Sequence, residues 1–254
     1  MVKGDKMDSY GEFASVYDRL MDDFDYPRWA EYYMELIARA GCRPKKLCDC
    51  ACGTGSMSVE FAKRGMVVTG VDISRDMLEI AAVKARRAAQ KIMFTAQDMT
   101  ELALPRPVDA LVCACDGVNY LTEPQSIEKF FRAVHAALRP GGCLAFDISS
   151  RHKLENVIGS GFFGEERDDI AYIWSNVLDA EKHIVDMDLT FFVRQDGDMY
   201  RRFTEKHRQR AHSADEMEKA LLDCGFADIR IYGDRTFDAP KPEELRLHFT
   251  AVRV

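Results

Sequence analysis

Apolar side chains recur along this chain with two different periods, and the changes of period divide it into segments. Near the N-terminus, Tyr10, Phe13, Ala14, Tyr17, Leu20 and Met21 share one helical face, because residues three and four apart stack along a helix. Asp22, Asp23 and Asp25 interrupt that stripe. A second one, Trp29, Tyr32, Tyr33, Leu36, Ile37 and Ala40, runs to Gly41 with Pro44 beyond, which is a helix stop. Short apolar runs then alternate with helical stripes. Leu47 onward reads as a buried strand, followed by a helix from Ser56 to Arg64 and a β-branched run from Met66 to Val71 that ends in Asp72. Ser74 caps the next helix, which has Asp76 in its first turn; Lys84, Arg86 and Arg87 near its end match the helix dipole. Strands follow at Ile92 to Ala96, Val108 to Cys113 and Cys143 to Ile148. Between the last two lies a helix carrying Ile127, Phe130, Phe131, Val134 and Leu138, with Thr122 and Gln125 as its expected capping box. This alternation predicts an α/β fold, a doubly wound and mostly parallel sheet with helices on both faces.

From about Arg167 to Arg210 the period falls to two. Ile170 to Leu178, Ile184 to Arg194 and Met199 to Arg210 alternate, and Asp196-Gly197 is a turn signal, so a three-stranded antiparallel insertion is expected. Ser213 and Glu216 then form a second capping box, Met217, Ala220, Leu221 and Cys224 an apolar helix face, and Gly225 a stop. Ile229 to Tyr232 and Leu245 to Val252 supply the last strands. The expected organisation is one domain over 1–254, with N-terminal helices in 1–43 and an inserted sheet in 167–210.

The chemistry concentrates in Leu47-Cys-Asp-Cys-Ala-Cys-Gly-Thr-Gly-Ser-Met-Ser58, a strand, a tight turn and a helix start. Gly53 and Gly55 adopt backbone angles that other residues resist and leave no side chain between the turn and a ligand. The helix beyond aims its free amides at the same place. A dinucleotide fingerprint wants a third glycine, whereas this chain has Ser58 there. Asp49 precedes the turn. A carboxylate in that place repels a pyrophosphate and suits a ligand with a cationic amino group. Asp72, at the end of the second strand, is placed to accept hydrogen bonds from ribose hydroxyls, which by itself marks only a ribose site.

The run from Asp49 through Cys52-Gly-Thr-Gly55 resembles the motif of the class I S-adenosylmethionine-dependent methyltransferases. Phe13-Ala-x-x-Tyr17-Asp-x-Leu20 is similar to the N-termini of small bacterial members, and Leu138 to Gly142 to the family's turn before its fifth strand. The resemblance implies a Rossmann-like seven-stranded sheet of order 3-2-1-4-5-7-6 with the last strand antiparallel. It also implies N-terminal lid helices, and an insertion where relatives carry substrate-binding or dimerising elements. It implies S-adenosylmethionine as cofactor and S-adenosylhomocysteine as product. Asp98 would receive the adenine amino group with Met99 on the ring. Tyr17, Trp29, Asp49, Ala51, Gly53, Gly55, Asp72, Ile73, Met77, Cys115 and Asp116 would complete the cofactor contacts, with Tyr10 and Phe13 as further lid residues. The segment Ala114 to Tyr120 would face the transferred methyl group, which makes Asp116, Asn119 and Tyr120 the nearest polar groups to the acceptor.

Methyl transfer needs a base only if the nucleophile arrives protonated. His207 and Glu205 share a strand face with Phe203, and although a solvated face is the favoured reading, His207 is taken as the catalytic candidate beside Asp116 and Tyr120. His152 is a second one. Arg201, Arg202, Lys206, Arg208 and Arg210 form a basic stretch that suits an acidic substrate or RNA, with charged edge-strand protection favoured. Tyr172, Trp174, Phe191 and Phe192 suit either a pocket or a dimer interface, so monomer and homodimer both stay open.

A net charge of −7 argues against a generic polyanion binder. No apolar run approaches a membrane span and the first residues lack a signal-peptide core, so a cytoplasmic protein without membrane contact is expected. The eight cysteines are expected to be reduced thiols, and Cys48, Cys50 and Cys52 buried strand residues, with no metal site. The reading is methyl transfer to nitrogen or oxygen of a small-molecule acceptor. The alternatives are an RNA-modifying methyltransferase and a nonenzymatic S-adenosylmethionine-binding protein; the missing third glycine and Asp49 argue against an NAD-dependent oxidoreductase.

Overall fold

The computed structural model describes residues 9–167 and 169–254, with the backbone alone at 9–12 and 15. Its centre is a seven-stranded sheet. The strands are β1 (Lys46–Cys50), β2 (Val67–Asp72), β3 (Met93–Ala96), β4 (Val108–Cys113), β5 (Leu138–Ser149), β10 (Phe226–Tyr232) and β11 (Arg246–Arg253). Their order is β10-β11-β5-β4-β1-β2-β3, and β11 runs antiparallel to both neighbours. This is the expected 3-2-1-4-5-7-6 order with the insertion's strands counted in.

Alternate residues of each central strand feed opposite cores. Leu111 and Cys113 of β4 and Phe146 of β5 pack with helices α5 (Ser126–Ala137) and α6 (Ala214–Asp223). Ala110, Val112 and Ala145 face α2 (Tyr26–Arg39) and α3 (Ser56–Lys63). Burial on both faces is why these strands read as continuous apolar runs. Gly142, the fifth residue of β5, lets the strand pass close to its own start, since a Cβ there would lie 2.8 Å from the Arg139 carbonyl oxygen.

The insertion is a separate four-stranded antiparallel sheet of β6 (Phe162–Glu166), β7 (Ile170–Asp179), β8 (Ile184–Arg194) and β9 (Tyr200–Arg210). The sequence reading expects three strands; β6 is an edge strand exposed at every position, so it carries no alternation of burial to detect. Helix α1 (Ser9–Leu20) is sandwiched between this sheet and α4 (Arg75–Arg87): Phe13, Ala14 and Val16 pack with Met77, Ile170, Phe191 and Val193. Tyr172 and Phe191 are therefore spent on α1, and Trp174 packs against a smaller cluster with Leu154 and Val185. Helix α2, by contrast, belongs to the layer covering the main sheet.

Ser74 and Ser213 cap α4 and α6 as expected, accepting from the amides of Met77 and Glu216. The Thr122–Gln125 box does not form. Gln125 already has helical angles and makes no side-chain cap, and the Ser126 hydroxyl donates to the Glu123 carbonyl. No helix among the described residues is long and apolar enough to cross a membrane.

Candidate active site

At the carboxyl end of β1 the chain turns through Ala51, Gly53 and Gly55, all at positive φ (55°, 53° and 74°). The Cys52 amide donates to the Val71 carbonyl and the Gly55 amide to Cys52, which ties the turn to β2. Asp72, at the end of β2, accepts from the Gly53 amide at 2.8 Å and the Ser74 amide at 2.9 Å. Asp98, after β3, accepts from the Thr100 amide and hydroxyl at 2.8 Å and heads a short turn that starts at Met99.

A cleft of about 320 Å³ opens over these strand ends, within the usual range for small-molecule sites. Its lining includes Tyr17, Asp49, Ala51, Gly53, Asp72, Ile73, Met77, Asp98, Met99, Cys115, Tyr120 and His207, and also Phe13. Its charged side chains are acidic; no lysine or arginine lines it among the described residues. Asp49 is buried, and its carboxylate accepts from the Ser58 hydroxyl at 2.5 Å. Burial, reinforced by the nearby Asp72 charge, pushes its carboxyl up to about 7. A buried carboxylate with this surplus of negative charge around it is a place for a cation, and the set of acceptors suits a ligand with an ammonium group and vicinal hydroxyls.

At the other end of the cleft, the Tyr120 hydroxyl lies 3.1 Å from His207 Nδ1. Burial lowers the imidazole pKa below its ordinary value, with Asp116 opposing, so the ring is neutral at pH 7. Glu205, on the same face of β9, is buried rather than lining the cleft. The face of β9 that the sequence reading favours as solvated is thus an inner face, closed by α1: the Phe13 ring lies 5.6 Å from the His207 ring.

Several expected residues lie elsewhere. Trp29 is buried on α2, with the Arg246 guanidinium 5.3 Å from its ring, and does not line the cleft. Gly55 sits behind the turn, where a Cβ would lie 2.8 Å from the Ala81 Cβ. Asp116 supplies backbone to the loop, but its carboxylate pairs with Arg246 Nη1 at 3.1 Å and accepts from Gln209 at 3.3 Å. Burial raises its pKa, yet Arg246 and then Lys153 overcome that and hold it below its ordinary value, which makes it a weaker base than a free carboxylate. Asn119 is fully buried and clamps β5 to β9 through Ser149 and the Arg210 carbonyl, so it is not an acceptor contact. His152 contacts Asn156, away from the cleft. The side chain of Tyr10 lies outside the described residues. On the outer face of the insertion, Lys206 and Arg208 pair with Asp188 and Asp186, as a charged strand face does.

The sequence reading misses Tyr26, Thr54, Ser56, Gln97 and Leu121, which also line the cleft. It misses the support beneath the Cys115–Asp116 loop as well. Both residues are left-handed, with φ of 59° and 54°. Buried Asp147 accepts both of their amides, at 2.7 and 3.0 Å, together with the Tyr33 hydroxyl at 2.5 Å and a short ion pair from Arg246. The one sequence signal for this is a charged residue inside the apolar run of β5.

A family profile described as a methyltransferase domain matches residues 47–142, which span the glycine turn, Asp72 and Asp98. The chain is 36% identical to a methyltransferase-like protein of Geobacillus sp. (strain WCH70), over 96% of this chain and 100% of that one. It is 37% identical to the methyltransferase-like protein YqeM of Bacillus subtilis (strain 168), over 96% of this chain and 97% of the relative. Among solved structures, an S-adenosylmethionine-dependent methyltransferase from Clostridium acetobutylicum superposes with a TM-score of 0.87 at 30% identity, covering 96% of this chain and 98% of that one. Fold, cleft and relatives agree: the chain belongs to the class I S-adenosylmethionine-dependent methyltransferase family.

Proposed function

We propose that this enzyme methylates a nitrogen or oxygen of a small-molecule acceptor bound at the Tyr120–His207 end of the cleft. The observation that carries the reading is the neutral imidazole of His207, 3.1 Å from the Tyr120 hydroxyl, in the same cleft as the Gly53 turn and Asp72. S-adenosylmethionine, when bound, supplies a methyl group already activated on a sulfonium. The chain's own part is to hold and orient. Asp72 would accept hydrogen bonds from the ribose hydroxyls, Asp49 would face the ammonium group, Asp98 would accept from the adenine amino group and Met99 would pack on its ring. Ala51, Gly53, Ile73, Met77 and Cys115 shape the walls, and Phe13 and Tyr17 close the cleft against water. His207, in the tautomer with Nδ1 unprotonated, would receive the Tyr120 proton, and the phenol oxygen would take the proton that the acceptor gives up.

Replacing His207 by Ala, with Tyr120→Phe as the milder variant, is expected to lower kcat by on the order of a hundredfold. Cofactor affinity should change little. The check is S-adenosylhomocysteine formation from a panel of amines and alcohols, followed by binding titrations. Full turnover in both variants would remove the pair from the reaction.

Asp49 makes cofactor binding depend on pH. Its carboxyl titrates near 7 in the free protein, and the protonated form offers an ammonium group no charge. Affinity for S-adenosylhomocysteine should therefore fall roughly tenfold from pH 8 to pH 6, because only about a tenth of the carboxyl is ionised one unit below its pKa. Calorimetry near pH 7 should also show proton release on binding. A flat affinity over that range would take Asp49 out of the site.

A further inference from the structure

Behind the glycine turn lies a polar cluster that the reaction described above does not use. The Lys84 ammonium, in the last turn of α4, donates to Asp18 Oδ1 at 2.8 Å, Thr54 Oγ1 at 3.0 Å and Ser56 Oγ at 2.5 Å. Thr54 Oγ1 in turn donates to Asp18 Oδ1 at 2.7 Å. A lysine ammonium has three donors, and all of them are engaged here, so Lys84 does more than match the helix dipole. The approach depends on small residues. Gly55 and Ala81 let α4 come against the turn, with Ala81 one helical turn before Lys84.

The acceptors come from two bodies. Thr54 and Ser56 line the cleft, whereas Asp18 follows Tyr17 on α1, and Tyr17 and Phe13 line the same cleft from above. Helix α1 lies outside both main cores, its apolar stripe held by the insertion sheet and by Met77 and Ile80 of α4. Lys84 thus joins the helix that covers the cleft to the turn that forms its floor. A surface groove lined by Asp18, Ser56 and Lys84 reaches the cluster from outside. The Lys84 side chain is 25% exposed and that of Asp18 38%. Water can compete for such a pair, so it can open.

We propose that Lys84 is a positioning residue, a latch that holds α1 on the glycine turn and so sets how fast the cofactor leaves the cleft. The inference rests on reading the cleft as the cofactor site. While the latch is closed, Tyr17 stays over the turn and blocks the exit. When it opens, α1 can lift with the insertion sheet that it packs on.

The test is stopped-flow displacement of S-adenosylhomocysteine from the full chain, with Lys84→Met, the isosteric Asp18→Asn and the double variant. Each single variant is expected to release the ligand about fivefold faster, the modest size set by solvent exposure of the pair. Association passes through the same opening and should speed up by a similar factor, leaving affinity nearly unchanged. The double variant should release it no faster than the worse single one, because both remove the same contact. Melting curves identify a variant that does not fold, and Asp18→Asn keeps shape and hydrogen bonding if Lys84→Met fails. Unchanged release, or additive effects of the two substitutions, would overturn the latch. A wild-type protein that does not bind S-adenosylhomocysteine would instead overturn the reading of the cleft.

Discussion

Replacing Asp72 by Ala is expected to weaken S-adenosylhomocysteine binding by about a hundredfold, about 3 kcal/mol, since hydrogen bonds to a charged group contribute about 1.5–3 kcal/mol each. The carboxylate also orders the turn, accepting from the amides of Gly53 and Ser74 on either side of the cofactor's place. Loss of the side chain therefore removes both a direct contact and the order of the loop making the others. Melting temperature should change much less than affinity, because burial raises the Asp72 pKa and its removal relieves that desolvation cost. Asp72→Asn, which keeps an acceptor oxygen without the charge, should lose about tenfold. Titration calorimetry separates the cases, and unchanged affinity in the alanine variant would exclude Asp72 from the site.

Arg246→Met is expected to be the most destabilising of these substitutions. The guanidinium joins Asp147, which is fully buried, to Asp116, and its own side chain is only 14% exposed. Removing the cation leaves the Asp147 and Asp116 carboxylates without the charge that both of them share. Breaking a buried pair in this way costs about 3–5 kcal/mol, a fall in Tm on the order of 10 °C for a chain of this size. The left-handed turn at Cys115 and Asp116 loses its support at the same time, so cofactor affinity should fall with stability. Arg246→Lys, which restores the charge without the fork, should recover part of the loss. A Tm within about 2 °C of wild type would show that the ion pairs do not hold this loop.

Legibility of the site in the sequence follows the distance between partners along the chain. The glycine turn, Asp72 and Asp98 each sit at a strand end marked by a local pattern, and the structure brings them to one cleft. The strand order rests on the family resemblance, but β4 and β5 could be read from the chain itself because their apolar runs are buried on both faces. β6 could not, since an exposed edge strand has no inner face to mark. Asp147 and Arg246 are 99 residues apart, and their pairing has no local trace. Asn119 looked like an acceptor contact because its loop faces the cleft, but β5 and β9 converge on its amide and bury it. His207 shows the opposite case. Its strand alternates like a solvated face, and only the packing of α1 on the insertion turns that face inward.

The most direct measurement is a crystal structure of the complex with S-adenosylhomocysteine. The expected result has the ribose hydroxyls on Asp72, the adenine amino group at Asp98 with the ring against Met99, and the amino group of the amino acid portion toward Asp49. The sulfur should face the Tyr120–His207 end of the cleft. A ligand bound away from the glycine turn, or with its sulfur directed away from Tyr120 and His207, would contradict this account of the site.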